Sequence, residues 1–199
     1  LTVTIGAFIA LLVMALKAIL GNIDAYKRFI AESRDINNTL TDITVEGALS
    51  DSDPRFLSEM AGSDGHQQPT EGRLQILDLS RATFARGGEA YVMKDRPQYV
   101  EGGPRTLPPF LFRQCRLEEV VLPERMDTIG VGAFEWSALR RVQLPEAVVI
   151  DGWAFNHCEQ LAEVRFPHHL VELKQNVFRD CPALRRLEIH AVQLSLIPI

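Results

Sequence analysis

Residues 117–167 read LEEVVLPERMDTIGVGAFEWSALRRVQLPEAVVIDGWAFNHCEQLAEVRFP, and this stretch decides the fold. The pattern L-x-x-φ-x-φ, in which φ is an apolar residue, begins in it at Leu117, Leu139 and Leu161. Each φ-x-φ is typical of a short strand that turns alternate side chains inward. One such unit cannot bury its own apolar side, so the pattern predicts units that stack side by side around a continuous core.

The same pattern also occurs outside this stretch, with copies that begin at Leu40, Leu74 and Leu184. Successive copies start 34, 43, 22, 22 and 23 residues apart. The last three spacings fall in the range of roughly 20–29 residues that leucine-rich repeats use. The sequence therefore predicts a repeat solenoid of the α+β class, with short parallel strands stacked in a right-handed superhelix and irregular or helical return segments.

Proline and phenylalanine recur in phase with the predicted strands. A proline has no N–H for a strand ladder, so it ends each strand at the same point. These prolines are Pro123, Pro145 and Pro167. A phenylalanine follows later in each unit, at Phe112, Phe134, Phe155 and Phe178. We expect these rings to stack in a column that fills the middle of the solenoid.

Cysteine also follows the repeat. Cys115, Cys158 and Cys181 each lie three residues after a repeat phenylalanine, and Ser137 holds that place in the remaining unit. A cysteine that alternates with serine favours a small buried filler over a reactive thiol. A disulfide between Cys158 and Cys181 remains an alternative, because adjacent coils lie about 4.8 Å apart.

Composition excludes several functional classes. The 199 residues include 21 Lys plus Arg and 26 Asp plus Glu, for a formal net charge of −5. A nucleic-acid partner is not expected, because such proteins carry a basic surface. No catalytic, cofactor-binding or metal-ligating pattern accompanies the repeats. Gly130 and Gly132 lack a phosphate-loop context, and His168 and His169 lack zinc-ligand spacing.

Residues 1–39 do not show the repeat, and we expect them to form a helical N-terminal segment. Ile5 to Leu20 reads IGAFIALLVMALKAIL. This apolar run is shorter than the roughly 20 residues of a membrane-spanning helix. It is either a buried cap or the remnant of a targeting or anchoring segment. Membrane association is therefore expected only through this segment.

The two long spacings predict insertions, so we divide residues 40–199 into larger opening units at 40–116 and short repeats at 117–199. In the first insertion, Asp53-Pro54 resembles a helix start, Phe56, Leu57 and Met60 form an apolar face, and Gly62 ends the helix. The second insertion, at 80–106, is predicted to be a loop with a hairpin around Tyr91 and Tyr99. Loops on a rigid scaffold are favoured places for binding.

Outward strand positions form two columns across the predicted sheet. The first column contains Asp42, Ile76, Glu119, Arg141, Glu163 and Arg186. The second contains Thr44, Asp78, Val121, Gln143, Arg165 and Glu188. The last four members of the first column alternate in sign, which predicts a self-neutralising ladder. The candidate partner-binding residues are Glu119, Arg141, Gln143, Glu163, Arg165, Arg186, Glu188, Tyr91 and Tyr99.

The phased strand, proline, isoleucine, A-F and cysteine positions resemble the BspA-like leucine-rich repeats of bacterial surface proteins. The resemblance extends over about residues 40–189. It implies a non-enzymatic binding or adhesion module, secreted or at the cell surface, that contacts a host or matrix protein or glycan. It also leaves a second interpretation open, a structural spacer or interaction domain of a larger envelope protein with no ligand of its own.

Overall fold

A computed structural model describes residues 40–49, 53–64, 68–84, 105–146 and 148–188. The predicted N-terminal helical segment and the predicted hairpin around Tyr91 and Tyr99 lie outside these residues. The elements in chain order are β1 (Asp42–Leu49), α1 (Asp53–Met60), β2 (Ile76–Phe84), β3 (Thr106–Leu107), β4 (Glu119–Val121), β5 (Thr128–Ile129), β6 (Arg141–Gln143), β7 (Val148–Ile150), β8 (Glu163–Arg165), β9 (Leu170–Leu173) and β10 (Arg186–Glu188).

The predicted strands form one six-stranded parallel sheet, in the order β1-β2-β4-β6-β8-β10. Each strand pairs with its counterpart one repeat away, so that Val120 pairs with Val142, which in turn pairs with Val164. These three valines are almost completely buried, whereas the residues on either side of them point outward. The sequence pattern therefore predicted both the parallel stacking and its register.

The return segments contain a second parallel sheet, which the sequence did not predict. Its strand order is β3-β5-β7-β9. Ile129 and Ile150 pair in it and are fully buried. The expectation of irregular or helical return segments was therefore wrong for this part of each coil, because two to four extended residues pair with the next coil.

The turn that carries each repeat phenylalanine forms a third ladder between coils. The amide of Phe134 donates to the carbonyl of Ala154 at 2.8 Å, and the amide of Trp136 donates to that of Asn156 at 2.9 Å. Two positions in every turn have φ between 54° and 62°. They are occupied by Phe110, Gly132, Trp153 and Asn176, and by Gln114, Trp136, His157 and Asp180. Positive φ is unfavourable for most of these residue types, so repetition at equivalent positions shows that the stacked turn imposes it.

Gly130 and Gly132 have structural roles in this turn. A Cβ on Gly130 would lie 2.7 Å from the Leu107 carbonyl oxygen and from the Pro109 nitrogen, which are both backbone atoms. Gly132 has a φ of +57°, and a Cβ there would lie 2.5 Å from the Phe110 ring. Both glycines therefore allow close approach between coils.

The phenylalanine column is confirmed. Ring centroids lie 5.5 Å apart for Phe112 and Phe134, 5.2 Å apart for Phe134 and Phe155, and 5.4 Å apart for Phe155 and Phe178. The planes of each pair are within 19° of parallel. The column runs through a core to which both sheets contribute.

The first insertion contains the predicted helix. Helix α1 buries Phe56, Leu57 and Met60 against the core, and Gly62 follows its end with a φ of +98°. Residues 80–84 differ from the predicted loop, because β2 continues to Phe84 and pairs there with an equally extended β1. Within the described ranges, no helix has the length and apolarity needed to cross a membrane.

Candidate partner-binding face

The outward side of the six-stranded sheet is the candidate site, and it has three columns of side chains. Two are the predicted columns, in which Glu119, Arg141, Glu163 and Arg186 are neighbours, as are Val121, Gln143, Arg165 and Glu188. The third was missed by the sequence analysis and consists of Thr41, Gln75, Glu118, Arg140, Ala162 and Arg185. Amides of this column donate to carbonyls one coil away, as from Arg140 to Glu118 at 2.9 Å. We call the three columns together the strand face.

The repeat L-x-x-φ-x-φ could have revealed the third column. Two positions lie between the leucine and the first φ of the pattern. The predicted columns included the second of these positions and left out the first. The structure places residues of both positions on the surface. The strand face is consequently wider and carries more charge than the two predicted columns.

Ion pairs join β4 to β6 across the strand face. The Arg141 guanidinium donates to Glu119 Oε2 through Nε at 2.8 Å and through Nη2 at 2.5 Å. Arg140 Nε lies 3.0 Å from Glu118 Oε2. The predicted ladder is therefore present between these two strands, where four side chains neutralise one another in pairs.

Glu163 departs from the predicted ladder. Its carboxylate accepts a hydrogen bond from Arg165, two residues later on the same strand, at 2.7 Å. This hydrogen bond lowers the pKa of Glu163, and the positive charges of Arg186 and Arg141 act in the same direction. The Glu163 carboxylate thus lies among three guanidinium groups. Beyond the paired Arg141, this end of the strand face carries three arginines against Glu163 and Glu188, an excess of one positive charge.

The opposite end of the strand face has carboxylates and an exposed apolar side chain. Asp42 Oδ2 accepts from the Thr41 hydroxyl at 3.2 Å, and Asp78 Oδ1 accepts from the Ser80 amide at 2.8 Å. No cation of the described residues lies within ion-pair distance of either aspartate. Ile76 lies between them, with 45% of its surface exposed.

A shallow groove of about 240 Å³ crosses the middle of the strand face. Its lining combines the hydrogen-bonding side chains of β4, β6 and β8 with the backbone between them. The side chains that project into it from the candidate set are Glu119, Arg141, Gln143, Glu163 and Arg165. The structure thus brings these five predicted residues together. It describes the backbone of Glu188 but not its side chain, and Tyr91 and Tyr99 lie outside the described residues.

The cysteines form the predicted column, in which Cys115 and Cys158 are buried and Cys181 is partly buried. Cys158 Sγ donates to the Phe134 carbonyl at 3.1 Å, and Cys181 Sγ donates to the Phe155 carbonyl at 3.1 Å. Burial raises the pKa of the Cys115 and Cys158 thiols to about 12, and it also raises that of Cys181. A thiol is a poor nucleophile while it is protonated. All three are free thiols in the structure, which does not contain the alternative Cys158–Cys181 bridge.

A buried polar network that the sequence analysis missed supports the turns. Glu135 accepts a hydrogen bond from Asn156 Nδ2 at 2.8 Å through one oxygen, and its other oxygen lies 2.8 Å from Arg113 Nε. The three residues occupy the position after the repeat phenylalanine in successive coils. The network lies away from the strand face, so we assign it to the stacking of the turns.

A comparison of the sequence with known protein families agrees with this architecture. Residues 104–197 match a protein-family model described as a BspA type leucine rich repeat region, in six copies. The match begins after β1 and β2, which continue the same sheet. A search of curated proteins finds no match. Leucine-rich repeats of this kind are generally non-enzymatic and mediate protein interactions. The strands and the phenylalanine column of the described residues are consistent with this match, so residues 104–197 are similar to a BspA-type leucine-rich repeat region.

Proposed function

We propose that the chain is a non-enzymatic adhesion or binding module, displayed at the cell surface or secreted, whose strand face binds an extracellular protein. The observation that supports it best is the groove, into which charged and polar side chains from β4, β6 and β8 converge. A stacked parallel sheet holds such side chains in fixed positions at low entropic cost. A surface made of rigid strands can therefore bind without first having to become ordered.

One observation favours a second candidate function, a structural spacer within a larger envelope protein. The Glu118–Arg140 and Glu119–Arg141 ion pairs neutralise charges that a partner would otherwise meet. Exposed ion pairs contribute about 0.2–1 kcal/mol each to stability. The same pairs would therefore serve a spacer that needs a soluble, self-contained surface.

An array of extracellular proteins tests the proposal with two matched double variants. Arg141→Glu with Arg165→Glu changes the groove, whereas Arg105→Glu with Lys174→Glu changes the opposite sheet. Each double variant changes the net charge by the same amount and removes two ion pairs in which the basic side chain is exposed. We expect the wild type and the opposite-sheet variant to bind the same protein, and the groove variant to bind it roughly tenfold more weakly or worse.

Two results would contradict the proposal. One is equal binding by the groove variant and the wild type, which would place the binding surface elsewhere. The other is no binding of any extracellular protein by the wild type, which would favour the spacer. Circular dichroism of all three proteins verifies that the variants are folded.

A further inference from the structure

We propose that the partner segment on the strand face is an extended stretch of polypeptide with basic residues at one end and acidic residues at the other. This inference rests on the proposed function, because it describes the partner of the same face. It comes from the distribution of charge along the sheet. The partner's basic end would lie over β1 and β2, and its acidic end over β8 and β10.

The strand face is divided by charge between its two halves. On β1, β2 and β4 the three columns carry four acidic residues and no basic ones: Asp42, Asp78, Glu118 and Glu119. On β6, β8 and β10 they carry five arginines and two glutamates: Arg140, Arg141, Arg165, Arg185, Arg186, Glu163 and Glu188. The face therefore has an acidic half and a basic half.

Ion pairs neutralise the charges in the middle of the strand face, so its excess charge lies at the two ends. The acids of β4 are paired with the arginines of β6. Asp42 and Asp78 remain at the acidic end with neutral hydrogen-bond donors. At the other end, Arg165, Arg186 and Arg185, the residue before β10, outnumber Glu163 and Glu188, so this end keeps an excess of one positive charge. A partner gains most when its own charges are complementary at both ends.

The apolar surface of the acidic half specifies one more feature of the partner. Ile76 is exposed next to Asp78, and Val121 pairs with Asp78 in the adjacent strand. An exposed isoleucine that is surrounded by carboxylates favours an aliphatic side chain flanked by lysine or arginine. We therefore place one aliphatic residue next to the basic end of the partner segment.

The length of the segment follows from the strand spacing. Six strands are separated by five intervals of about 4.8 Å, so the face is about 24 Å long. An extended chain advances about 3.3 Å per residue, so about eight residues cover this distance. A long polyanion does not fit, because Asp42, Asp78 and the net charge of −5 oppose it.

Two blocked, fluorescent octapeptides of the same composition test the inference. The probe KKLSGSEE has separated charges, whereas the control KELSGSKE has mixed charges. Fluorescence anisotropy at low salt should show the separated peptide binding roughly tenfold more tightly, because several exposed ion pairs form together. High salt should abolish the difference.

Charge-reversal variants distinguish a loss of charge complementarity between peptide and strand face from a loss of folding. Asp42→Lys with Asp78→Lys, or Arg165→Glu with Arg185→Glu, should each remove the preference for KKLSGSEE. The quadruple variant keeps the wild-type net charge and reverses both ends, so the peptide can bind in the opposite direction and the preference should return. Arg105→Glu with Lys174→Glu, on the opposite sheet, should leave the preference intact.

The inference is overturned if the two peptides bind equally, if neither binds at about 1 mM, or if the quadruple variant shows no recovery. These outcomes are separate from failure of the proposed function. If the array shows a protein bound through the groove while the peptides show no charge preference, the strand face binds a partner of another charge pattern. If the array shows no bound protein, the proposed function itself fails.

Discussion

Replacing Phe134 by alanine is expected to lower the free energy of unfolding by about 4 kcal/mol, the largest loss we predict for one side chain. Phe134 is fully buried and stacks on Phe112 and Phe155. The substitution leaves a cavity and removes two ring contacts, each of which contributes about 0.5–1.5 kcal/mol beyond burial. At about 2–4 °C per kcal/mol for a chain of this size, the thermal midpoint should fall by about 10 °C.

The same turn offers a matched control for this prediction. Trp136 is another large aromatic residue, two positions later, but it is 45% exposed and stacks only on His157 among the ring pairs of the described residues. Trp136→Ala should cost about 1 kcal/mol or less. Urea unfolding followed by circular dichroism compares the two. A loss for Phe134→Ala no greater than that for Trp136→Ala would mean that the column does not hold the coils together.

The second large effect is expected at Glu135. Glu135→Leu should cost about 3 kcal/mol, because it leaves the largely buried Arg113 guanidinium without its carboxylate and removes the acceptor of Asn156. The side chains of Glu135 and Arg113 are only 9% and 17% exposed. Solvent screening therefore reduces this interaction much less than it reduces those of the strand face.

A double variant separates the effect of breaking the ion pair from the effect of changing the side-chain volume. Arg113→Leu combined with Glu135→Leu removes both charges and should regain most of the stability lost in Glu135→Leu. Asp127→Leu is the exposed control, because it breaks a pair with Arg105 that is more than half exposed on both sides, and should cost under about 1 kcal/mol. The stabilising role of the buried Glu135–Arg113 pair is contradicted if Glu135→Leu and Asp127→Leu have equal free energies of unfolding at both low and high salt.

Features with a regular spacing could be predicted from the sequence. The leucine at the start of each copy fixed the strand positions, and the register of Val120, Val142 and Val164 followed from it. The phenylalanine and cysteine columns were predictable for the same reason. Helix α1 was predictable because its start, apolar face and terminal glycine all lie within one short segment.

Features that depend on contacts between coils could not be predicted. A two-residue strand such as Thr128–Ile129 is too short to show an alternating pattern. The positive φ of Trp136 and His157 arises from hydrogen bonds to the next coil, about 22 residues away, and neither residue type suggests it. Within the candidate site, residue types gave the charges, but only the structure showed that Glu163 pairs along its own strand.

All of the surface arguments depend on coils that stack residue above residue, since only this register brings the strand face together. Amide hydrogen exchange of the intact chain, followed by NMR, tests the stacking most directly. We predict that the turn amides of Phe134, Trp136 and His157 are as protected as the Leu144 amide beside the strands, because each donates to the next coil at 2.8–3.0 Å. Turn amides that exchange at the rate of an unstructured peptide, while Leu144 is protected, would contradict the stacked turns and the strand face built on them.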